Sequence, residues 1–220
     1  MAIEEGQFIE LDYTARITEN DEIFDTTYED VAEETGLKQT KDHDFEPLTV
    51  CVGEGHIITG LEEGLIGKDI GEHEFTIKPE KAFGKKNPEL IQIIPEKEFK
   101  KQNMNPRPGL EINVDGEYGV VKKTGGGRVV VDFNHPLSGK TLNYNVEVHR
   151  VVEDKKEQVK SLIQKIGMPY ETITINDDTA TITVNMELPD EFQENLDEEF
   201  KRIIGLHVSI QVKGDQENDE

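Results

Sequence analysis

The sequence contains no tryptophan, a single cysteine and about half as many basic as acidic side chains, with 24 Lys and Arg against 47 Asp and Glu. Because Cys51 is alone, an intramolecular disulfide and a cysteine-built zinc site are excluded. The formal net charge of −23 disfavours binding to nucleic acid and to anionic membrane surfaces. No apolar run is long enough to span a membrane, and residues 1–5 do not resemble a signal peptide. These absences predict a cytoplasmic protein.

The acidic side chains are unevenly distributed along the chain. Residues 1–85 carry 22 acidic and 7 basic side chains, and residues 154–220 carry 16 and 7, whereas residues 86–129 carry 6 and 8. The middle segment therefore differs electrically from everything around it. A separately folded insert and ordinary variation in a surface loop both account for this difference.

The first 85 residues show the alternation of β-strands around one short helical pattern. Strands are predicted for Gln7 to Ile17, for a segment ending at Phe24-Asp25, for Leu48 to Val52 and for Gly71 to Ile77. Ile57, Ile58, Leu61 and Leu65 follow helical spacing, and Gly67 ends that helix. A further helix-like segment, Tyr28 to Glu34, ends at Gly36.

Residues 86–129 have their own start and stop signals. Pro95 to Phe99 predicts a short helix with proline in its first turn. Leu110 to Val114 and Glu117 to Val121 alternate around Asp115-Gly116, which predicts a hairpin. A further strand is expected from Arg128 to Asp132, so the segment is predicted to be a small β-rich domain.

Residues 154–220 predict a third unit with the order α-β-β-α-β. Its helices end at Gly167 and Gly205, and each carries an apolar stripe. A unit of about 65 residues buries only a marginal core, so we expect it to pack on the first domain or on a partner chain. A homodimer through this unit is the simplest closed assembly. The polar tail, residues 214–220, is expected to be disordered.

Several short motifs, in a fixed order, carry a resemblance to a known family. They are Phe24-Asp25, the segment from Gly53 to Leu65, Ala82-Phe83-Gly84, the segment from Asn134 to Leu137 and the segment from Thr141 to Val148. They resemble the FKBP-type peptidyl-prolyl isomerases, in the SlyD-like subclass with a chaperone domain inserted beside the active site. The third unit is similar to that of the long archaeal members. The resemblance covers about the first 153 residues.

The resemblance implies an α+β fold in three parts. An FKBP domain with an antiparallel sheet and a short helix would comprise residues 1–85 and 130–153. The inserted chaperone domain would comprise residues 86–129, and an α+β domain residues 154–220. The expected partners are unfolded or proline-containing polypeptides, and no metal or cofactor is expected.

The resemblance also implies the residues of an isomerase pocket. The expected catalytic residues are Tyr13, Phe24, Asp25, Ile57, Ile58, Leu61, Phe83 and Tyr144, with Leu48 and Leu137 as substrate-binding residues. Such a pocket suits the chemistry, because the twisted X–Pro amide is less polar than the planar one and gains from apolar surroundings. Asp25 is expected to hold a tyrosine hydroxyl or to polarise the substrate. Two departures are Leu61, where the family usually has tryptophan, and Phe83, where it often has tyrosine.

The middle segment is rich in apolar side chains. The residues expected to bind unfolded chain are Leu90, Ile91, Ile93, Ile94, Phe99, Tyr118 and Val120. They exceed what a small core needs, which favours an exposed apolar groove; the alternative is that the core takes all of them. In the SlyD-like family this insert binds unfolded segments.

Other chemistries fit the sequence less well. Asp132, His135 and Ser138 resemble the components of a catalytic triad, but no nucleophile elbow precedes Ser138. The turn at Gly53-Glu54-Gly55 lacks the third glycine of a dinucleotide-binding fingerprint. The rival to an isomerase is a chaperone that binds unfolded chains with little or no isomerase activity, favoured by the two departures at Leu61 and Phe83.

Overall fold

The structure, a computed structural model, describes residues 2–37, 45–114 and 116–213, so Asp115 of the predicted hairpin turn and the tail at 214–220 lie outside it. Within these residues, the strands form three sheets, and the buried apolar side chains form three clusters. No helix of the described part is long and apolar enough to cross a membrane. The elements, in chain order, are β1 Phe8–Ile17, β2 Glu22–Thr26, α1 Glu29–Thr35, β3 Leu48–Cys51, α2 Thr59–Leu65, β4 Gly71–Ile77, β5 Ile91–Pro95, α3 Glu96–Lys101, β6 Glu111–Val114, β7 Glu117–Gly125, β8 Arg128–Asp132, β9 Leu142–Val151, α4 Lys155–Lys165, β10 Thr172–Asn176, β11 Thr179–Val184, α5 Asp190–Ile204 and β12 His207–Val212.

The first sheet is built around β1. Strand β9 pairs antiparallel with one edge of β1, and β4 pairs with the far edge of β9. The other edge of β1 is shared, because β3 pairs with Phe8 to Leu11 and β2 with Thr14 to Ile17. Tyr13 lies at the junction of these two shorter strands, where its backbone N–H donates to Thr27 Oγ1 at 2.9 Å. This arrangement brings Tyr13 to the same corner of the sheet as the end of β2.

Helix α2 packs closely against β4. A Cβ atom at Gly60 would lie 2.5 Å from Ile77 Cγ2, and one at Gly64 would lie 2.8 Å from the ring of Phe75. The two glycines, four residues apart on one helix face, therefore permit this close approach. Leu61 and Leu65 are buried in the same core.

The second sheet is formed by the insert, in the order β5-β8-β7-β6. Strand β8 pairs with β5 and β7 up to Asp132, so the boundary expected at Val129 cuts through a strand. The insert's sheet includes residues 130–132. Strand β5, which alternation did not predict, is an edge strand of this sheet. The hairpin of β6 and β7 pairs in the predicted register, with Val114 opposite Glu117.

Residues 154–213, here called the C-terminal unit, contain the elements in the predicted order α-β-β-α-β. Their sheet has the order β10-β11-β12; β10 and β11 are antiparallel, whereas β11 and β12 are parallel and are connected by α5. Asp154 caps α4 by accepting a hydrogen bond from the backbone N–H of Glu157, at 2.9 Å. Gly205 ends α5 in the left-handed conformation, with φ of 73°.

The C-terminal unit shares its core with the first sheet. Phe8, Cys51 and Val152 are buried in the same cluster as the apolar stripes of α4 and α5. The buried members of the stripes are Val159, Leu162, Ile163, Leu196, Phe200 and Ile204, and Ile203 packs against them, whereas Ile166 and Phe192 of the same stripes are 41% and 39% exposed. Packing on the first domain, one of the two expected solutions, therefore occurs within one chain, where the stripes are covered by the unit's own sheet together with Phe8, Cys51 and Val152. The homodimer stays a prediction.

Candidate active site

Three of the predicted aromatic side chains meet on the face of the first sheet that α2 covers. The rings of Tyr13 and Tyr144 lie 5.7 Å apart between centroids, at an interplanar angle of 40°. Phe24 stands edge-on to Tyr144, with centroids 6.2 Å apart. Strand pairing fixes this geometry, because Tyr144 is opposite Ala15 on β1 and Phe75 on β4. Aromatic pairs prefer such offset or edge-to-face contacts.

The remaining apolar positions come from α2 and from three loops. Leu61 is buried on the helix, while Ile57 and Ile58 are half-buried against the same core. Ile58 is the extended residue before the helix, with ψ of 140°, so Ile57 and Ile58 precede α2 and were wrongly predicted to lie within it. The predicted site residues Tyr13, Phe24, Ile57, Ile58, Leu61, Phe83, Leu137 and Tyr144 all belong to one apolar cluster, and this set is called the aromatic pocket below.

Asp25 lies at the edge of the aromatic pocket and binds the hydroxyl of Tyr13. Tyr13 Oη donates to Asp25 Oδ2 at 2.7 Å, and the backbone N–H of Thr26 donates to Asp25 Oδ1 at 3.0 Å. Burial, together with the nearby carboxylate, raises the pKa of the Tyr13 phenol well above its usual range. Burial and then Asp25 raise the pKa of Tyr144 in the same way. Both phenols therefore stay neutral, and Asp25 acts as a hydrogen-bond acceptor.

Phe83 forms one wall of the pocket and is held by residues of the loop after β8. Its ring stacks on His135, with centroids 4.6 Å apart and planes nearly parallel at 2°. Ser138 Oγ donates to the backbone carbonyl of Phe83 at 3.0 Å. Ser138 and His135 thus position the wall, in agreement with the rejection of a triad.

Asp132, the third residue of that triad, joins the two chain segments that lead into and out of the insert. Its carboxylate accepts from Lys86 Nζ at 2.7 Å and from Asn134 Nδ2 at 2.8 Å. Asn134 also accepts from the backbone N–H of Asn87, at 2.7 Å. Burial acts to raise the pKa of Asp132, but the hydrogen bonds from Lys86 and Asn134 outweigh it and lower the pKa to about 2.

His56 and Glu62 are pocket-supporting residues that sequence reasoning missed. The backbone N–H of Cys51 donates to His56 Nδ1 at 3.1 Å, and that of His56 donates to Glu62 Oε1 at 3.0 Å. Burial first, and then the charge of Lys165, lower the pKa of His56 to about 4. The Glu62 carboxyl group is buried, which no local pattern indicates.

Leu48 is not brought into the aromatic pocket. It is 37% exposed at the start of β3 and lies on a groove of about 790 Å³ between the first sheet and α4. Tyr13 borders the same groove, together with Lys160 and Gln164 of α4. The predicted contact of Leu48 with a substrate in the pocket is therefore not supported by its position.

The insert exposes most, but not all, of the apolar side chains that were predicted to bind unfolded chain. Leu90, Ile91, Ile93 and Tyr118 are exposed, with 64% exposure for Ile93, and Ile94 and Val120 are half-buried. Phe99 was wrongly assigned to a groove: it is 3% exposed and forms the insert's core with Ile112, Val121, Val129 and Val131. Ile94 packs against that same core.

The register of the insert's strands puts the exposed side chains on one face. Ile91 is opposite Asp132 and Ile93 is opposite Val130, and Val120 is also opposite Asp132. Because side chains alternate along a strand, these positions lie on the face opposite to the core. The outer face of the insert is therefore defined as Ile91, Ile93, Tyr118, Val120 and Val130.

No set of three or more His, Cys, Asp or Glu side chains within residues 2–37, 45–114 and 116–213 is arranged to hold a metal ion. The pocket offers aromatic and aliphatic walls with a single carboxylate, and no nucleophile activated by a base. Its arrangement suits desolvation of a bound group more than proton transfer.

Comparison with known proteins identifies one matching family model and several relatives. A family model described as "FKBP26, IF domain" matches residues 92–137. A short-type peptidyl-prolyl cis-trans isomerase of Methanocaldococcus jannaschii is 33% identical over 156 residues, which are 70% of this chain and 98% of the relative. A probable FKBP-type 16 kDa isomerase of Pseudomonas fluorescens is 38% identical over 139 residues, 60% of this chain and 90% of the relative.

A SlyD isomerase of Helicobacter pylori is 32% identical over 120 residues, 52% of this chain and 64% of the relative. These similarities extend over most of the length of the first two relatives. The match of the family model lies within the insert and the residues that follow it. The chain belongs to the family of FKBP-type peptidyl-prolyl cis-trans isomerases.

Proposed function

We propose that this chain catalyses cis–trans isomerisation of X–Pro bonds in unfolded or nascent polypeptides and binds those chains through its insert. The observation that carries the first half is the pocket formed by Tyr13, Phe24 and Tyr144 around the single carboxylate of Asp25. The relatives' names supply the reaction.

The chemistry needs neither a nucleophile nor a proton carrier. Rotation about the X–Pro bond is slow because resonance keeps the amide planar, with a barrier of about 18–20 kcal/mol. The twisted amide has lost this resonance and is less polar, so an apolar pocket binds it better than the planar form. Every 1.4 kcal/mol or so of preferential binding gives about a tenfold acceleration.

Each pocket residue is assigned a role on this basis. Phe24, Ile58, Leu61 and Tyr144 surround the proline ring and exclude water, and Phe83 and Leu137 close the pocket. Asp25 holds the Tyr13 ring through its hydroxyl, which fixes one wall. No metal or cofactor takes part in this mechanism.

The chaperone role rests on the outer face of the insert. Sheets with one covered face normally carry polar side chains on the other, whereas this sheet carries Ile91, Ile93 and Val130 there. These apolar side chains lie beside the edge of β5, which has no neighbouring strand in the described sheet, so an extended chain could make both side-chain and backbone contacts there. Binding there raises the concentration of the chain near the pocket.

Two assays test the two halves of this proposal separately. Isomerisation of a short proline-containing tetrapeptide, coupled to a protease, reports on the pocket alone. Refolding of a protein limited by a proline isomerisation, together with suppression of its aggregation, reports on the pocket and the insert. Acceleration in both assays is expected.

The rival candidate is a chaperone that suppresses aggregation but has little or no isomerase activity. Phe83 favours it, because its ring is stacked on His135 and has no hydroxyl to donate to a substrate carbonyl. Suppression of aggregation with no acceleration of the tetrapeptide would select this rival. The homodimer and the cytoplasmic location stay predictions.

A further inference from the structure

The segment between β3 and α2, here called the pocket turn and comprising residues 53–58, ends in two pocket residues. Ile57 and Ile58 are its last members, and Ile58 directly precedes α2. A displacement of this turn therefore moves the pocket floor directly. The other side of the turn faces the C-terminal unit.

Two side chains of the C-terminal unit bind the pocket turn at Glu54. Arg202 Nη1 and Nη2 donate to the two carboxylate oxygens of Glu54, at 2.8 Å and 2.7 Å. Lys165 Nζ donates to the backbone carbonyl of Glu54 at 3.1 Å. The side chain of Glu54 is thus held by α5 and its backbone by α4. The bidentate ion pair with Arg202 fixes the orientation of the Glu54 carboxylate as well as its distance.

The two cations come from elements that are themselves fixed. Arg202 lies in the last turn of α5, and Lys165 is the last residue of α4. Both helices are anchored in the core that they share with Phe8 and Cys51. Phe8 and Cys51 belong to the first sheet. The contacts of Arg202 and Lys165 with Glu54 therefore connect the pocket turn to the core that the two units share.

A second contact of the turn leads to the same core. The ring of His56 stands edge-on to Phe8, with centroids 6.5 Å apart. The backbone N–H of Cys51 donates a hydrogen bond to the His56 ring at Nδ1, and the backbone N–H of His56 donates one to the side chain of Glu62. The turn is therefore held from the pocket side by its own domain and from the outer side by the C-terminal unit.

We propose that Arg202 is a positioning residue for the aromatic pocket, through which the C-terminal unit holds the pocket turn, and with it Ile57 and Ile58, in the substrate-binding conformation. This rests on the proposed isomerase function. It gives the C-terminal unit a part in substrate binding, whereas the sequence had indicated association only.

The test compares Arg202→Gln with Arg150→Gln in the full chain. Arg150 is a matched control, because it also joins the two units, through Glu10 on β1 and Glu157 on α4, without touching the pocket turn. In Arg202→Gln, KM for the tetrapeptide should rise about two- to fivefold, which is the range expected for loss of a partly exposed ion pair. The value of kcat should be nearly unchanged. Arg150→Gln should leave both constants unchanged.

Equal effects of the two variants, or no effect of Arg202→Gln, would overturn the proposal. Reversing the pair with Glu54→Arg and Arg202→Glu together should restore KM, whereas each reversal alone should raise it. A failure of the double variant to recover would show that the pair does not act through its ionic contact.

A readout that needs no activity distinguishes this proposal from the isomerase function itself. With isoleucine methyl groups labelled for NMR, Arg202→Gln should shift or broaden the signals of Ile57 and Ile58, and Arg150→Gln should not. Unperturbed signals in Arg202→Gln would contradict positioning, even if the wild-type chain were inactive on the peptide.

Discussion

Phe24 supplies an apolar wall of the pocket at the end of β2, edge-on to Tyr144. Truncation to alanine removes that wall and admits water, so the preference for the twisted amide should weaken. We predict that Phe24→Ala lowers kcat/KM for the tetrapeptide by about tenfold or more, equivalent to about 1.4 kcal/mol. The matched control is Phe192→Ala, at a 39% exposed phenylalanine on α5. Similar losses in both variants would contradict the assigned pocket.

His56 should make the protein sensitive to acid. Its pKa is lowered to about 4 by burial, from about 6.5 in an unfolded chain, so the folded state binds fewer protons between these values. Its contribution to stability is therefore complete above pH 6.5 and is lost as the pH falls towards 4. After allowance for solvent screening, we expect a loss of about 1–2 kcal/mol.

Urea unfolding measured between pH 7 and pH 4 tests this expectation. His56→Gln should flatten the dependence of the unfolding free energy on pH in this window. His73→Gln is the control, because the His73 ring makes an exposed hydrogen bond to the carbonyl of Asp69. An unchanged slope in His56→Gln would show that other groups cause the acid sensitivity.

Sequence patterns indicated three aromatic rings that the structure brings together, but not the contacts that hold the segments around them. Phe24 and Tyr144 lie within local motifs, and Tyr13 was indicated by the family resemblance that those motifs carry. The contact of Arg202 with Glu54 joins positions 148 residues apart, and no local pattern carries such a pair. Phe99 was misplaced for a related reason: apolar character alone does not tell a core residue from an exposed one.

At the scale of elements, β5 is the part of the insert most exposed to a binding partner. Its outer-face residue Ile93 is 64% exposed, beside an edge without a neighbouring strand in the described sheet. A charge there should oppose the binding of apolar chain. We predict that Ile93→Lys weakens suppression of aggregation several-fold while tetrapeptide isomerisation is retained.

Ile70→Lys provides the matched control for this prediction. Ile70 is 46% exposed and lies just before β4, outside the insert. Light scattering of an aggregating protein measures both variants under the same conditions. If Ile70→Lys were as damaging as Ile93→Lys, the outer face of the insert would have no special role.

Most strands and helices followed from periodicity, because alternation and glycine stops are local signals. Strand β5 did not, since its run Ile91-Gln92-Ile93-Ile94 is apolar on both faces and lacks alternation. The start of α2 was also misplaced, because Ile57 and Ile58 fit a helical stripe although Ile58 is extended. The Glu62 side chain accepts a hydrogen bond from the backbone N–H of His56, a contact just before α2 that periodicity does not indicate.

At the scale of the whole molecule, the C-terminal unit covers part of the first domain. Truncation after Glu153 would expose Phe8, Cys51 and Val152, which are buried in the shared core. Since burial of one large apolar side chain contributes about 1.5–3 kcal/mol, we predict a loss of unfolding free energy of at least that size. Urea unfolding measures it, and an unchanged midpoint and slope would contradict the shared core.

Sedimentation of the full chain and of the chain truncated after Glu153 tests the predicted homodimer. The dimer prediction requires the full chain to sediment as a dimer and the truncated chain as a monomer. A monomeric full chain would refute it.

The central claim is that the pocket isomerises proline bonds while the insert captures the chain that contains them. Residues 88–133 can be replaced by a short glycine-containing loop, because Asn87 and Asn134 already lie side by side, with the N–H of Asn87 2.7 Å from Asn134 Oδ1. The first sheet is complete without the insert.

The decisive measurement compares this variant with the wild-type chain on two substrates. Tetrapeptide isomerisation should be retained, whereas catalysis of proline-limited refolding of a whole protein should fall by about 100-fold, the low end of the gain from tethering. Equal losses on both substrates, or no loss on either, would contradict the division of labour between pocket and insert.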